Sequence, residues 1–204
     1  MKKNKIKICV VGWHFFSDFY NKLDQSKYET YIVAHRYNKI LDAIKLEYSV
    51  IENIGLEFHA YDYYIKNIWD KKSNVIFMHD DIEIEDIKCL YKIFKRCEKE
   101  NIYQCYIFGE KGKGSHGRCI YMSKKFIEMI IKDYDGIWFD RENKECVDSK
   151  SSIKNKWDKK RYNYGTYKFE KYSKKIGKKY NVKTCISINN SGLILYYRAK
   201  NILR

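Results

Sequence analysis

Residues Val75 to Met78 are an unbroken apolar run flanked by Asn74 and His79, and the run ends directly in Asp80-Asp81-Ile82-Glu83-Ile84-Glu85. A half-exposed strand alternates apolar and polar side chains. A strand-length run without that alternation has to be covered on both faces, which places it in the middle of a sheet with helices on either side. The neighbouring segments agree. Lys5 to Gly12 (KIKICVVG) and Glu29 to Ala34 (ETYIVA) are short β-branched runs with a polar stretch between them that can hold a helix from Ser17. Two strands joined through a helix suggest a parallel α/β beginning.

Further along, Phe58, Tyr61, Ile65 and Ile68 recur at spacings of three and four, which predicts a core-facing helix over about 57–69. Asp86 can cap a helix running to about Glu100, with Ile87, Leu90, Tyr91 and Phe94 on one face. Tyr103 to Phe108 reads as the next strand, Arg118 to Met122 as another, and Ser123 starts a helix through Phe126, Ile127 and Ile130. Phe169, Tyr172, Ile176 and Tyr180 keep helical spacing. Val182–Ile188 and Leu193–Tyr197 read as a closing hairpin around Asn189-Asn190-Ser191-Gly192. With no internal repeat and no linker, the expectation is a single α/β domain over 1–204: a central, mostly parallel sheet flanked by helices, followed by a basic C-terminal helical segment and that hairpin.

Composition excludes several classes. Of 204 residues 45% are hydrophobic, enough to build a core, so a disordered chain is ruled out. No stretch approaches the roughly 18 consecutive apolar residues that span a bilayer; the run from Ile8 to Phe16 is broken by Gly12 and His14. The seven cysteines are scattered, with no Cys-x-x-Cys, which argues against a disulfide framework or a zinc ribbon and for buried reduced thiols. Together with the missing cleavage signal this predicts a cytoplasmic protein.

The acidic strand end is the most informative chemical feature. In open α/β sheets ligands bind outside the carboxyl ends of the strands. Carboxylates there can hold Mg²⁺ or Mn²⁺ against a diphosphate. The bare residues leave two readings: a nucleotide site, or a solvated helix-capping turn. An apolar strand running into Asp80-Asp81 resembles the Asp-x-Asp signature of GT-A glycosyltransferases, nucleotide-sugar enzymes of Rossmann-like fold. The resemblance extends over about 5–135. It takes in the order of the first two strands, the second ending at His35-Arg36, a helix of the pattern Gly55-x-Glu57-x-x-x-Tyr61-Asp62, the acidic strand end, and a glycine-rich loop at 109–117.

The resemblance implies a UDP-sugar as the usual donor and Mn²⁺ or Mg²⁺ as cofactor. It makes Asp81 the metal-binding aspartate, places Asp80 near the ribose or sugar as well as among the candidate metal ligands, and leaves Glu83 as the further candidate ligand. His79 stands where many members have Asp. Trp13, His14, His35 and Arg36, at the ends of the first two strands, would line the base and ribose pocket. As bare residues, Trp13 and His14 can equally be core-edge packing, and Arg36 a surface charge.

The loop Gly109-Glu110-Lys111-Gly112-Lys113-Gly114-Ser115-His116-Gly117 lacks the Gly-Lys-Ser/Thr of a P-loop. It is either a lid over the diphosphate, with His116 on phosphate or metal, or a surface turn. An inverting transfer needs a carboxylate to take the proton of the acceptor hydroxyl; Asp140, after Gly136-Ile137-Trp138-Phe139, is the first candidate and Glu110 the second. A retaining enzyme needs no such base.

The chain carries 41 Lys and Arg against 26 Asp and Glu, a net charge of +15. The charge is concentrated. Residues 150–180 hold twelve Lys or Arg against Asp158 and Glu170, interleaved with Trp157 and several tyrosines, and account for ten of the fifteen net charges. Lys159, Lys160, Arg161, Tyr164 and Lys168 are the candidate contacts to an anionic partner. Counterion release and aromatic stacking make DNA one reading. Attachment to an anionic membrane surface is another, and a solvated helix face is the third. Joined to sugar transfer, the first gives an enzyme that decorates a hydroxylated DNA base, as some phage-type enzymes of this class do. The second gives one acting on a cell-surface glycan or lipid-linked acceptor at the inner membrane. A non-catalytic nucleic-acid-binding protein is the alternative from another class.

Overall fold

The strands form where the β-branched runs place them: β1 (Ile6–Gly12), β2 (Tyr28–Ala34), β4 (Val75–His79), β6 (Gln104–Gly109) and β7 (Cys119–Met122). The computed structural model describes residues 6–12, 20, 23, 26–80, 82–84, 86–109, 119–138, 156–190 and 193–194; for 83–84, 156–167, 189–190 and 193–194 it describes the backbone alone. The expected helix from Ser17 lies largely outside these residues. The described helices are α1 (Ile40–Ala43), α2 (Leu56–Asn67), α3 (Lys88–Lys99), α4 (Lys124–Tyr134) and α5 (Lys156–Tyr180). Four short strands complete the set: β3 (Glu47–Val50), β5 (Glu83–Ile84), β8 (Ile186–Asn190) and β9 (Leu193–Ile194).

Seven strands make one sheet in the order β3-β2-β1-β4-β7-β6-β8. β1, β2, β3 and β4 pair in parallel, β7 is antiparallel to both β4 and β6, and β8 is parallel to β6. Only β7 therefore runs against the rest. The apolar run of β4 sits at the centre, as its lack of alternation requires. Ile76 and Met78 point into one layer with Leu41 of α1 and Leu90 and Ile93 of α3. Val75 and Phe77 point into the other with Tyr61 and Ile65 of α2, Phe126 and Ile130 of α4, and Phe169 and Ile176 of α5. The chain is a single α/β domain with a mostly parallel mixed sheet flanked by helices.

Two expectations are corrected. β8 and β9 do not pair with each other as a hairpin: β8 extends the main sheet beside β6, while β9 pairs antiparallel with β5 in a separate two-stranded sheet. Both strands satisfy their backbone groups on partners far away in sequence. In α3 the buried face is Cys89, Leu90, Ile93, Phe94 and Cys97, and Tyr91 is exposed. Asp86 does act at the start of this helix, its Oδ1 accepting from the Lys88 N–H at 2.9 Å. Ser123 caps α4, its hydroxyl accepting from the Phe126 N–H at 3.1 Å.

The cysteines at 9, 89, 97, 105, 119 and 185 are free thiols, five of them buried. Cys97 and Cys105 bring their sulfurs to 3.6 Å. Burial pushes the Cys89 thiol up to about 12 and the Cys119 thiol well above its ordinary value, which keeps both protonated.

Candidate functional site at the carboxyl edge of the sheet

β1, β2 and β4 end side by side. The His35 N–H donates to the Gly12 carbonyl at 3.1 Å and the Asp80 N–H to the Val11 carbonyl at 3.2 Å, so the ladder continues to the last residue of each strand. That register sets His35, His79 and Asp80 on one edge. α2 enters from the same edge. The Asn53 carboxamide accepts from the Leu56 N–H at 3.2 Å, and the Leu56 carbonyl lies 3.1 Å from His35 Nε2.

Three of the five histidines converge there. His35 and His59 stack with centroids 6.5 Å apart, His59 packs on Trp138 at 4.4 Å, and His79 lies 6.4 Å from the Tyr61 ring. Burial, helped by the nearby His59 and His79, pulls His35 down to about 3, so it is a neutral imidazole at physiological pH. Burial lowers His59 as well, against an opposing pull from the Asp62 carboxylate. Nδ1 of His59 and Nε1 of Trp138 are closed off from solvent and make no hydrogen bond among the described residues.

Gly55, Tyr61 and Asp62 of the helix pattern hold this edge together. A Cβ on Gly55 would lie 2.4 Å from Trp138 Nε1 and 2.7 Å from His59 Cβ, so only glycine lets the indole pack there. Tyr61 is buried against Phe77 of β4, with centroids 4.9 Å apart. Asp62, also buried, accepts from the Ile137 N–H at 2.8 Å and pairs with Lys66 at 3.2 Å, tying the segment after α4 to α2.

Asp80 is only 2% exposed, an unusual place for a carboxylate. Burial and the Asp80 charge together raise the Tyr20 hydroxyl above its ordinary value. The turn after Asp80 is short: Ile82 is buried, its N–H reaching the His79 carbonyl at 3.4 Å, and β5 begins at Glu83 against β9. Within the acidic segment, then, Asp80 and Ile82 are buried and Glu83–Ile84 lie in β5.

Of the residues singled out from sequence, His35 and Asp80 share this edge, and Arg36 lies exposed beside it. Glu83 is in β5, its side chain not described. Asp81, Trp13, His14, Glu110, His116 and Asp140 lie outside the described residues. Lys159, Lys160, Arg161 and Tyr164 are on α5 by backbone alone, and Lys168 is half-buried. His59 and Trp138 were not foreseen. A histidine two residues after Glu57 in the helix pattern was the available signal, but nothing local points it at His35.

The oxygen donors at the strand end suit a hard divalent cation. Among the described residues no group of three His, Cys, Asp or Glu side chains forms a metal centre by itself. No described helix is long and apolar enough to cross a membrane.

No family model matches the chain, and no curated protein matches it by sequence. Solved structures do. A mannosyltransferase from Pyrobaculum calidifontis, solved with GDP-Man and Mn²⁺, superposes with a TM-score of 0.59 at 9% identity, over 98% of this chain and 59% of its own. A 4-diphosphocytidyl-2C-methyl-D-erythritol synthase from Anaerococcus prevotii superposes with a TM-score of 0.50 at 8% identity, over 98% and 99%. This chain thus spans less than two thirds of the mannosyltransferase and nearly all of the synthase. The fold expected from the acidic strand end is the one observed: a Rossmann-like α/β domain of the GT-A type.

Proposed function

We propose that the chain, acting as one domain over 1–204, is a metal-dependent glycosyltransferase. It takes a sugar from a nucleotide-sugar donor, a UDP-sugar, and passes it to an acceptor hydroxyl, that of a hydroxymethylated base in DNA. The observation that carries this reading is the buried Asp80 at the carboxyl end of the central strand, on the edge where β1, β2 and β4 all end, with Asp81 and Glu83 following it in sequence. Oxygen donors at that strand end are the ligand type that a hard divalent cation takes.

Asp80, Asp81 and Glu83 would hold the cation together with the donor diphosphate. The bound Mn²⁺ or Mg²⁺ supplies neutralisation of the leaving diphosphate. The protein's own groups have separate tasks. His35, a neutral imidazole, would line the base and ribose end together with Trp13, His14 and Arg36. Asp140, or Glu110, takes the proton of the acceptor hydroxyl as its oxygen bonds to the sugar C1 and the bond from C1 to the diphosphate oxygen breaks. His116 contacts the diphosphate. The P. calidifontis mannosyltransferase, solved with GDP-Man and Mn²⁺, supports the donor class and the metal. The A. prevotii synthase makes a cytidine nucleotide the first alternative ligand.

Calorimetric titration of UDP, GDP and CTP with and without Mn²⁺ tests the reading. Binding of one nucleotide that requires the metal and is lost in Asp81→Asn supports it. Absence of binding by all three removes the donor site and leaves a nucleic-acid-binding protein as the better reading.

A further inference from the structure

The far side of α5 is a lysine ridge. Phe169, Ser173 and Ile176 are all 0% exposed, with Phe169 against the rings of Phe58, Tyr106 and Phe126. At 100° per residue, Lys171, Lys174, Lys175 and Lys178 fall on the opposite face, and all four are exposed. Neighbouring carboxylates neutralise only part of this charge. Glu170 pairs with Lys174, and Asp133 of α4 takes both Lys179 and the Tyr180 hydroxyl. Lys175 leans over the Tyr172 ring at 5.1 Å. Lys171, Lys175 and Lys178 have no carboxylate partner among the described residues.

We propose that this ridge, Lys171, Lys174, Lys175 and Lys178, binds the phosphate backbone of duplex DNA, an inference that rests on the DNA-acceptor reading above and identifies the surface that would hold that acceptor. Charge complementarity is the first argument. From Lys171 to Lys178 the helix rises about 10 Å, a length over which a duplex presents on the order of six phosphate charges. The second argument separates a duplex from a membrane. Lasting attachment to a bilayer takes an inserted apolar element besides charge, and over 169–176 the apolar face of α5 is used up in the core. The large exposed apolar side chains among the described residues, Tyr37, Val50 and Tyr91, all lie elsewhere: Val50 at the β3 end of the sheet, Tyr37 in the segment before α1, and Tyr91 on α3 in the opposite layer. A ridge of lysines without an apolar anchor beside it among the described residues suits phosphates in water.

The ridge is lysine throughout, so it grips by point charge and reads no base. Sequence-independent binding in the range of about 10⁻⁴ to 10⁻⁶ M follows.

The test is fluorescence anisotropy of a labelled 20-base-pair duplex across a salt series. It compares the wild-type protein, the ridge variant Lys171→Gln/Lys175→Gln/Lys178→Gln, and a control that loses the same charge from α3 on the other face, Lys88→Gln/Lys92→Gln/Lys99→Gln. Each lost phosphate contact removes about 0.9 from the slope of log K against log salt. The ridge variant should therefore lose nearly three units of slope and on the order of 10²-fold in affinity at 0.1 M salt, while the control keeps its slope. Equal losses in the two variants, or no duplex binding by the wild-type protein at 50 mM salt, would overturn the proposal. Sedimentation with phosphatidylserine vesicles in place of duplex binding would overturn it in favour of a membrane. Nucleotide titration of the same samples keeps the donor reading separate, since the ridge substitutions leave the carboxyl edge untouched.

Discussion

Acid should weaken this fold through His35 in a way that one substitution can isolate. The imidazole is held near a pKa of about 3 by burial and by the neighbouring His59 and His79, against about 6.5 in an unfolded chain. Below pH 6.5 the unfolded chain takes up a proton that the folded chain refuses until about pH 3. Stability therefore falls as pH drops through that window, and no penalty remains above it. With those two values the loss between pH 7 and pH 5 is about 2 kcal/mol, and the full effect approaches about 5 kcal/mol near pH 3. His35→Gln retains an amide N–H for the Leu56 carbonyl, now 3.1 Å from His35 Nε2, and removes the titration. Urea denaturation at pH 7, 6 and 5 should show the wild-type protein losing about 2 kcal/mol more than the variant. Carboxylate titrations common to both cancel in that comparison. Parallel pH dependences would show that the ring takes up its proton freely in the fold, and the enclosed histidine edge would be wrong.

Two further outcomes follow from the packing. Gly55→Ala drives a methyl group to within 2.4 Å of Trp138 Nε1. It should cost about 2 kcal/mol, or roughly 4–8 °C in melting temperature, with a loss of tryptophan signal in near-ultraviolet circular dichroism. Phe169→Ala removes the ring on which Phe58, Tyr106 and Phe126 meet. It should cost about 3–5 kcal/mol in urea titration, whereas a change of the exposed Lys171 to Ala should stay within about 0.5 kcal/mol.

Local periodicity was enough to locate most elements. β1, β2, β4, α2, α4 and the start of β7 fall within a residue or two of their expected limits, because burial on one or both faces writes itself directly into side-chain order. The short elements β3, β5 and α1 left no such mark. Four residues of β3 with the exposure pattern of an edge strand carry too little apolar signal to stand out.

Residue types arranged along the chain decided that β4 is central and covered on both faces, that Asp80 ends it, and that α5 has one apolar and one cationic side. Partner choice was decided only in three dimensions. Nothing local says that β7 inserts antiparallel between β4 and β6, or that β8 and β9 part company to join different sheets. Backbone hydrogen-bonding groups are the same in every strand, so pairing is selected by how whole layers pack. The same holds for the site. His35, His59 and His79 lie about twenty residues apart in sequence, and they meet because parallel strand register and the entry of α2 bring strand ends and a helix start to one edge. The neutrality of His35 is a property of that meeting, since burial and two like neighbours exist only once the chain has folded.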